Sequence, residues 1–211
     1  MTEYLSLILH DTIALITILN PIAAASIMVS MLDGDTDSVK STAFKATVTV
    51  FFASLVTLFG GEFIFKLFGI NVHSLKVIGG VILMLIAVNM AYGQASKARH
   101  TPSEAKEAEE KDDISIVPIG IPILFGPGAI ATIIVLNSNL TVSYKLPVSY
   151  AVVTVSIALS SIVVFFTLRY SGAIHKALGV TGMKILTRIM GLIVGAIAAQ
   201  FLVSGIKALW L

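Results

Sequence analysis

Two short runs are the residues best suited to hold a solute: Asn20-Pro21-Ile22-Ala23-Ala24 and Gly126-Pro127-Gly128-Ala129-Ile130, each with a capping-type residue before a proline. Asn and Gly are favoured at the N-cap, and Pro at the first helical position, where its missing N–H would go unused anyway. Each run therefore reads as the start of a helix. Such an end exposes backbone N–H groups and carries roughly half a positive charge, which suits it to a carboxylate. The small side chains of Ala23, Ala24, Gly128 and Ala129 would let only a compact ligand approach the backbone.

Asn89 and Gln200 are amides inside apolar stretches that could contact the same solute; the alternative is hydrogen bonding between helices. Asp11, with His10 beside it, lies between apolar residues 4–9 and 13–19. A carboxylate inside a span costs about 2.5–3.5 kcal/mol on insertion scales, so Asp11 is a candidate proton- or cation-coupling group, with an interfacial position as the alternative. The four His are dispersed and no metal-ligand spacing, nucleophile elbow or phosphate loop is present. Neither an enzyme nor a cofactor or metal is expected. The absence of Cys excludes disulfides and thiolate metal sites.

These groups must be positioned by membrane-spanning elements. With 211 residues, 56% hydrophobic, 12% charged and a mean hydropathy of +0.96, the chain has too little charge to cover a water-soluble globule. Its partners are expected to be the lipid bilayer and a small-molecule substrate, with no nucleic acid. Uncharged runs at 12–32, 46–61, 77–96, 114–144, 146–168 and 189–206 extend, with their flanks, toward the roughly 20 residues needed to cross a bilayer, giving six spans. The N-terminal segment carries Glu3 and lacks a basic leader and a cleavage site, so the first span is expected to act as its own targeting signal.

With six crossings, one side carries ten Lys and Arg (Lys40, Lys45, Lys97, Arg99, Lys106, Lys111, Arg169, Lys176, Lys184, Arg188) and the other four (Lys66, Lys76, Lys145, Lys207). The positive-inside rule then places the multi-pass chain in the cytoplasmic membrane with both termini outside and the polar loop 94–113 in the cytoplasm. If segments one and four were instead re-entrant hairpins, the split would be only eight to six, so crossings are favoured. Pro21 alone leaves a kink and a break equally open. The fourth segment argues harder for a break, because Pro118, Gly120, Pro122, Gly126, Pro127 and Gly128 fall within eleven residues.

An internal repeat links the two runs. Lys66-Leu67-Phe68-Gly69-Ile70 recurs as Lys176-Ala177-Leu178-Gly179-Val180, and Ile78, Gly80, Ile82, Ile86 and Ala87 match Ile189, Gly191, Ile193, Ile197 and Ala198 at an offset of 111. Asn89 then corresponds to Gln200, and Pro21 matches Pro127 at an offset of 106. Three spans per repeat is an odd number, so the second copy is expected to be upside down, as in many secondary transporters. The predicted fold is an all-α membrane protein: a first three-helix repeat (1–93), a cytoplasmic linker (94–113) and a second, inverted three-helix repeat (114–211), with helices 1 and 4 broken near the midplane. Gly191 and Gly195 form a small-residue ridge, read first as a contact within one subunit and second as a homo-oligomer interface.

Pro118-Ile119-Gly120-Ile121-Pro122 followed by Gly126-Pro127-Gly128-Ala129-Ile130 resembles the signature of the MarC family of integral membrane proteins. Asn20-Pro21-Ile22, Arg188-Ile189-Met190-Gly191-Leu192-Ile193 and Gln200-Phe201 resemble its first and last spans, so the likeness covers essentially the whole chain. Ala23 stands where the family commonly has Gly. The resemblance implies a six-span cytoplasmic-membrane protein and, in some members, transport of small neutral amino acids such as alanine and glycine. Expected, then, is a secondary transporter with the substrate carboxylate at Asn20 to Ala24 and Gly126 to Ile130, assisted by Asn89, Gln200 or Asp11. An exporter of other small or hydrophobic compounds and a non-transporting membrane interaction protein are the competing readings.

Overall fold

A computed structural model describes residues 2–32, 35–93 and 114–210; the 94–113 linker expected from the sequence lies outside the described residues. Among the described residues the chain is helical, without strands: α1 (Thr2–Leu19), α2 (Pro21–Met31), α3 (Thr36–Leu67), α4 (Val72–Ala91), an irregular coil (Ser115–Leu124), α5 (Pro127–Ser143), α6 (Leu146–Arg169) and α7 (Ser171–Trp210). Five runs are long and apolar enough to cross a bilayer, α1 and α2 counting as one, and the bent coil–α5 pair makes a sixth. The protein is an integral, multi-pass membrane protein. On α3, Phe52, Val56, Phe59 and Phe63 recur at helical spacing and are all exposed, the outward apolar face that lipid covers.

Local chemistry sets the helix ends. Asp35 accepts from Ser38 N–H at 3.0 Å to start α3, and Asn71 from Ser74 N–H at 2.7 Å to start α4. α3 closes at Gly69, whose φ of 66° allows Ile70 N–H to reach Phe65 O at 2.8 Å and Gly69 N–H to reach Lys66 O at 3.1 Å. Gly179, its counterpart in the sequence repeat, interrupts α7 with a φ of 63°.

The coil owes its path to two prolines. Pro118 and Pro122 have no N–H to give a helix, and each forces the residue before it, Val117 and Ile121, into extended backbone. Wide turns take over, with Ile119 N–H on Ile114 O at 3.2 Å and Phe125 N–H on Gly120 O at 2.9 Å. Irregular backbone at membrane depth must be covered by protein. Here α3 covers it, and Gly120 lets Thr49 come close: a Cβ at residue 120 would lie 3.2 Å from Thr49 Cγ2.

The most extensive helix contact joins α4 and α7. A Cβ on Gly80 would lie 3.0 Å from both Ala198 O and Leu202 N, and one on Gly191 would lie 3.1 Å from Ala87 O and Ala91 N. Residue numbers therefore fall along α7 as they rise along α4, and the pair is antiparallel. Gly195 faces Ala87 in the same seam, so the small-residue ridge is used inside one subunit. Elsewhere α3 packs on α6, α1 on α6, the coil on α3, α2 on α7, and α5 on α4.

Candidate functional site

The start of α5 opens into a cavity of about 220 Å³ lined by Ile18, Ile86, Asn89, Pro122 and the run Gly126 to Ala129. Gly126 takes the N-cap position in extended backbone with no side chain to cap the helix, and α5 leaves the coil at a bend of 57°. Its carbonyl receives Ala129 N–H at 2.9 Å and Ile130 N–H at 3.3 Å. Pro127 has no N–H, which leaves Gly128 N–H as the first-turn donor without a carbonyl acceptor in the helix. A Cβ on Gly128 would lie 2.8 Å from Leu83 Cδ2, so this end sits hard against α4. Asn89 spends one amide proton on Leu85 O at 3.0 Å and keeps its carbonyl oxygen and second proton.

The other run is built differently. Asn20 adopts left-handed backbone (φ 47°, ψ 63°), its Oδ1 accepts from Ala23 N–H at 3.3 Å, and its Nδ2 donates to Met90 Sδ at 3.7 Å. Helical hydrogen bonds run up to it from one side and away on the other, Asn20 N–H to Ile16 O at 2.9 Å and Ala24 N–H to Asn20 O at 3.3 Å. Asn20, Pro21, Ala23 and Ala24 are buried, and none of residues 20–24 lines the Gly126 cavity. Asn20 thus occupies, with its own amide, the helix end that a carboxylate was expected to take.

Gln200 does not join Asn89. It lines a second cavity, of about 310 Å³, with His10, Thr17, Lys76, Asn139 and Ser204. The reason is the antiparallel seam: the level of Gln200 on α4 is near Gly80, and the nine residues from there to Asn89 span about 14 Å of helix. The two amides, expected at a single site, line two separate cavities. Ile82, Ile86 and Asn89 line the first, and Ile193, Ile197 and Gln200, their counterparts at an offset of 111, line the second.

Asp11 is 4% exposed. One oxygen is 3.1 Å from His10 Nδ1, and the other is buried with no hydrogen-bond partner among the described residues. Neither Lys76, whose ammonium donates to Asn139 Oδ1 at 2.8 Å, nor Thr132, whose hydroxyl donates to Gly128 O at 2.8 Å, was singled out by sequence. A lysine at the edge of the apolar run 77–96 was the available signal for the first. α3 and α6 also gather Phe44, Phe51, Phe165 and Phe166 around an open groove of about 560 Å³.

The family whose sequence profile matches, over residues 5–210, is described as "MarC family integral membrane protein". The chain is 37% identical over 207 residues to UPF0056 membrane protein YvbG of Bacillus subtilis, covering 97% of this chain and 96% of that one. It is 33% identical over 211 residues to a UPF0056 membrane protein of Aquifex aeolicus, covering 99% and 96%. With UPF0056 membrane protein YhcE of Escherichia coli it shares 30% over 200 residues, covering 94% and 91%. No solved structure matches the chain.

Proposed function

Because this chain belongs to the MarC family of integral membrane proteins, we propose that it is a secondary transporter of small neutral amino acids, of alanine or glycine type, working by alternating access in the cytoplasmic membrane. The cavity at the uncapped start of α5 carries the reading. At about 220 Å³ it falls below the 300–1,000 Å³ usual for drug-sized ligands, and it offers a compact zwitterion both a helix N-terminus for the carboxylate and the Asn89 amide.

The scaffold is read as two inverted three-helix repeats with breaks at Asn20 and Gly126. Its support is reciprocity. Gly80 meets Ala198 and Leu202, while Gly191, 111 positions later, meets Ala87 and Ala91, their counterparts at the same offset. Two equivalent antiparallel helices that exchange contacts in this way are related by a twofold axis across their length, which for membrane-spanning helices lies in the membrane plane. Matching positive φ values at Gly69 and Gly179 fit the same symmetry. Rocking one repeat against the other would expose the site to each side in turn, and Asp11, buried with one oxygen unsatisfied, is the coupling group in this scheme.

Uptake and counterflow of labelled alanine in proteoliposomes test the proposal. Counterflow above protein-free vesicles is expected; no flux of any small amino acid in either direction would remove the substrate claim. The Phe-lined groove between α3 and α6 favours a second reading, export of apolar compounds that enter from lipid. On that reading Phe51→Ala raises drug accumulation in cells and leaves alanine flux intact.

A further inference from the structure

The cavity around Gln200 is framed like its partner around Asn89, yet its charge is different. Lys76 and His10 line it. Their counterparts in the other repeat are Thr187, at an offset of 111, and Ile116, at an offset of 106, so the basic groups belong to this cavity alone. Lys76 gives one of its three N–H donors to Asn139 Oδ1 at 2.8 Å. Among the described residues no carboxylate lies within ion-pair distance of it. Lys76 is half-buried one turn into α4 and shares the cavity lining with Ile193 and Ile197, so its ammonium is only partly hydrated and gains from a counter-charge. The Gln200 amide and the hydroxyls of Thr17 and Ser204 supply further hydrogen-bonding groups in a space of about 310 Å³.

We propose that this cavity is a second solute subsite, one that binds a compact carboxylate through the Lys76 ammonium and the Gln200 amide. It extends the transport reading, on which its role as a waiting site for the substrate rests, but the binding chemistry can be tested apart from transport. The chain has no cysteine, so Ser204→Cys provides the sole thiol, inside this cavity.

Full-length Ser204→Cys protein in zwitterionic-lipid nanodiscs at pH 8 would be treated with a sulfonate-bearing or a trimethylammonium-bearing methanethiosulfonate. Rates would be normalised to those of a small thiol in water. The anionic reagent is expected to be favoured about tenfold, as one nearby positive charge allows, with the preference abolished by adding Lys76→Met and retained with Lys76→Arg. Millimolar propionate or alanine should slow the labelling.

A preference unaffected by Lys76→Met, or labelling that propionate does not slow, overturns the subsite. Labelling blocked by anionic lipid and indifferent to propionate also overturns it, since Lys76 would then be holding a lipid phosphate. Propionate protection without alanine protection or flux would uphold a carboxylate subsite while removing the amino acid reading. Alanine flux that Lys76→Met leaves unchanged, together with unchanged labelling, would do the reverse.

Discussion

Asn20-Pro21 and Gly126-Pro127 carry the same local signal and have opposite outcomes. At the first, the residue before proline has an amide that folds back onto Ala23 N–H and seals the helix end inside packed side chains. At the second, glycine has no side chain to fold back, and the end faces a cavity. A helix start in a membrane is left open to a solute only where the residue before it does not satisfy the end itself. The capping preference shared by Asn and Gly conceals that distinction, because Asn caps by hydrogen bonding and Gly mainly by backbone freedom.

The sharpest way to break the comparison is to fill the open end. Gly128→Leu puts side chain where Leu83 already sits, and alanine counterflow is expected to fall about 100-fold, the loss of roughly 2.7 kcal/mol of binding. Leu83→Ala should restore part of it; unchanged counterflow in Gly128→Leu protein of normal size-exclusion profile would remove α5 from the site. Next, Gly126→Asn gives the second end the cap of the first. Its φ of −107° accepts a side chain, but a Cβ there would lie 3.1 Å from Pro122 O, so the expected result is a weaker alanine interaction by about tenfold with a small loss of thermal stability.

The converse change acts on stability. Asn20→Ala removes the amide cap and leaves a side chain in left-handed backbone, for an expected cost of about 1–2 kcal/mol in unfolding measurements, while Asn20→Gly loses less because glycine tolerates that backbone. Alanine affinity in folded Asn20→Gly protein should stay within about twofold of the parent; a larger loss would show that the first end also touches substrate.

The smallest effect lies outside the membrane, at the exposed cap of α3. Hydrogen bonds from Ser38 hold the Asp35 carboxyl below its ordinary value of 3.8. A depressed folded value means that its contribution is present above the unfolded value and is lost as pH falls through the folded one. A slight drop in stability is therefore expected below about pH 4, absent in Asp35→Asn, whereas the Asn20 cap, having no ionisable group, should not respond. Thermal unfolding of both variants across pH 3–6 checks this.

How much was legible follows from which interactions are local. Proline's missing N–H, the capping residues and the apolar runs act within a few positions, so the spans, the interruption at Asn20 and the irregular backbone before Gly126 could be read from the chain. Gly80 and Gly191, matched at an offset of 111 in the sequence, both stand where the α4 and α7 backbones meet. Lys76 had been read only as a charge for topology, since its partner Asn139 is 63 positions away. The Phe groove was missed because its rings come from two helices, α3 and α6.

By itself the sequence determined an all-helical, multi-pass membrane protein, its family, and two proline-started helices. Tertiary structure decided which of those ends is open, because Asn20 seals its end with contacts to Ala23 and to Met90 on α4. It also decided that Asn89 and Gln200 serve separate cavities. Equivalent residues on an antiparallel helix pair lie at opposite ends of it, and no spacing along the chain reports the direction in which two distant helices pack.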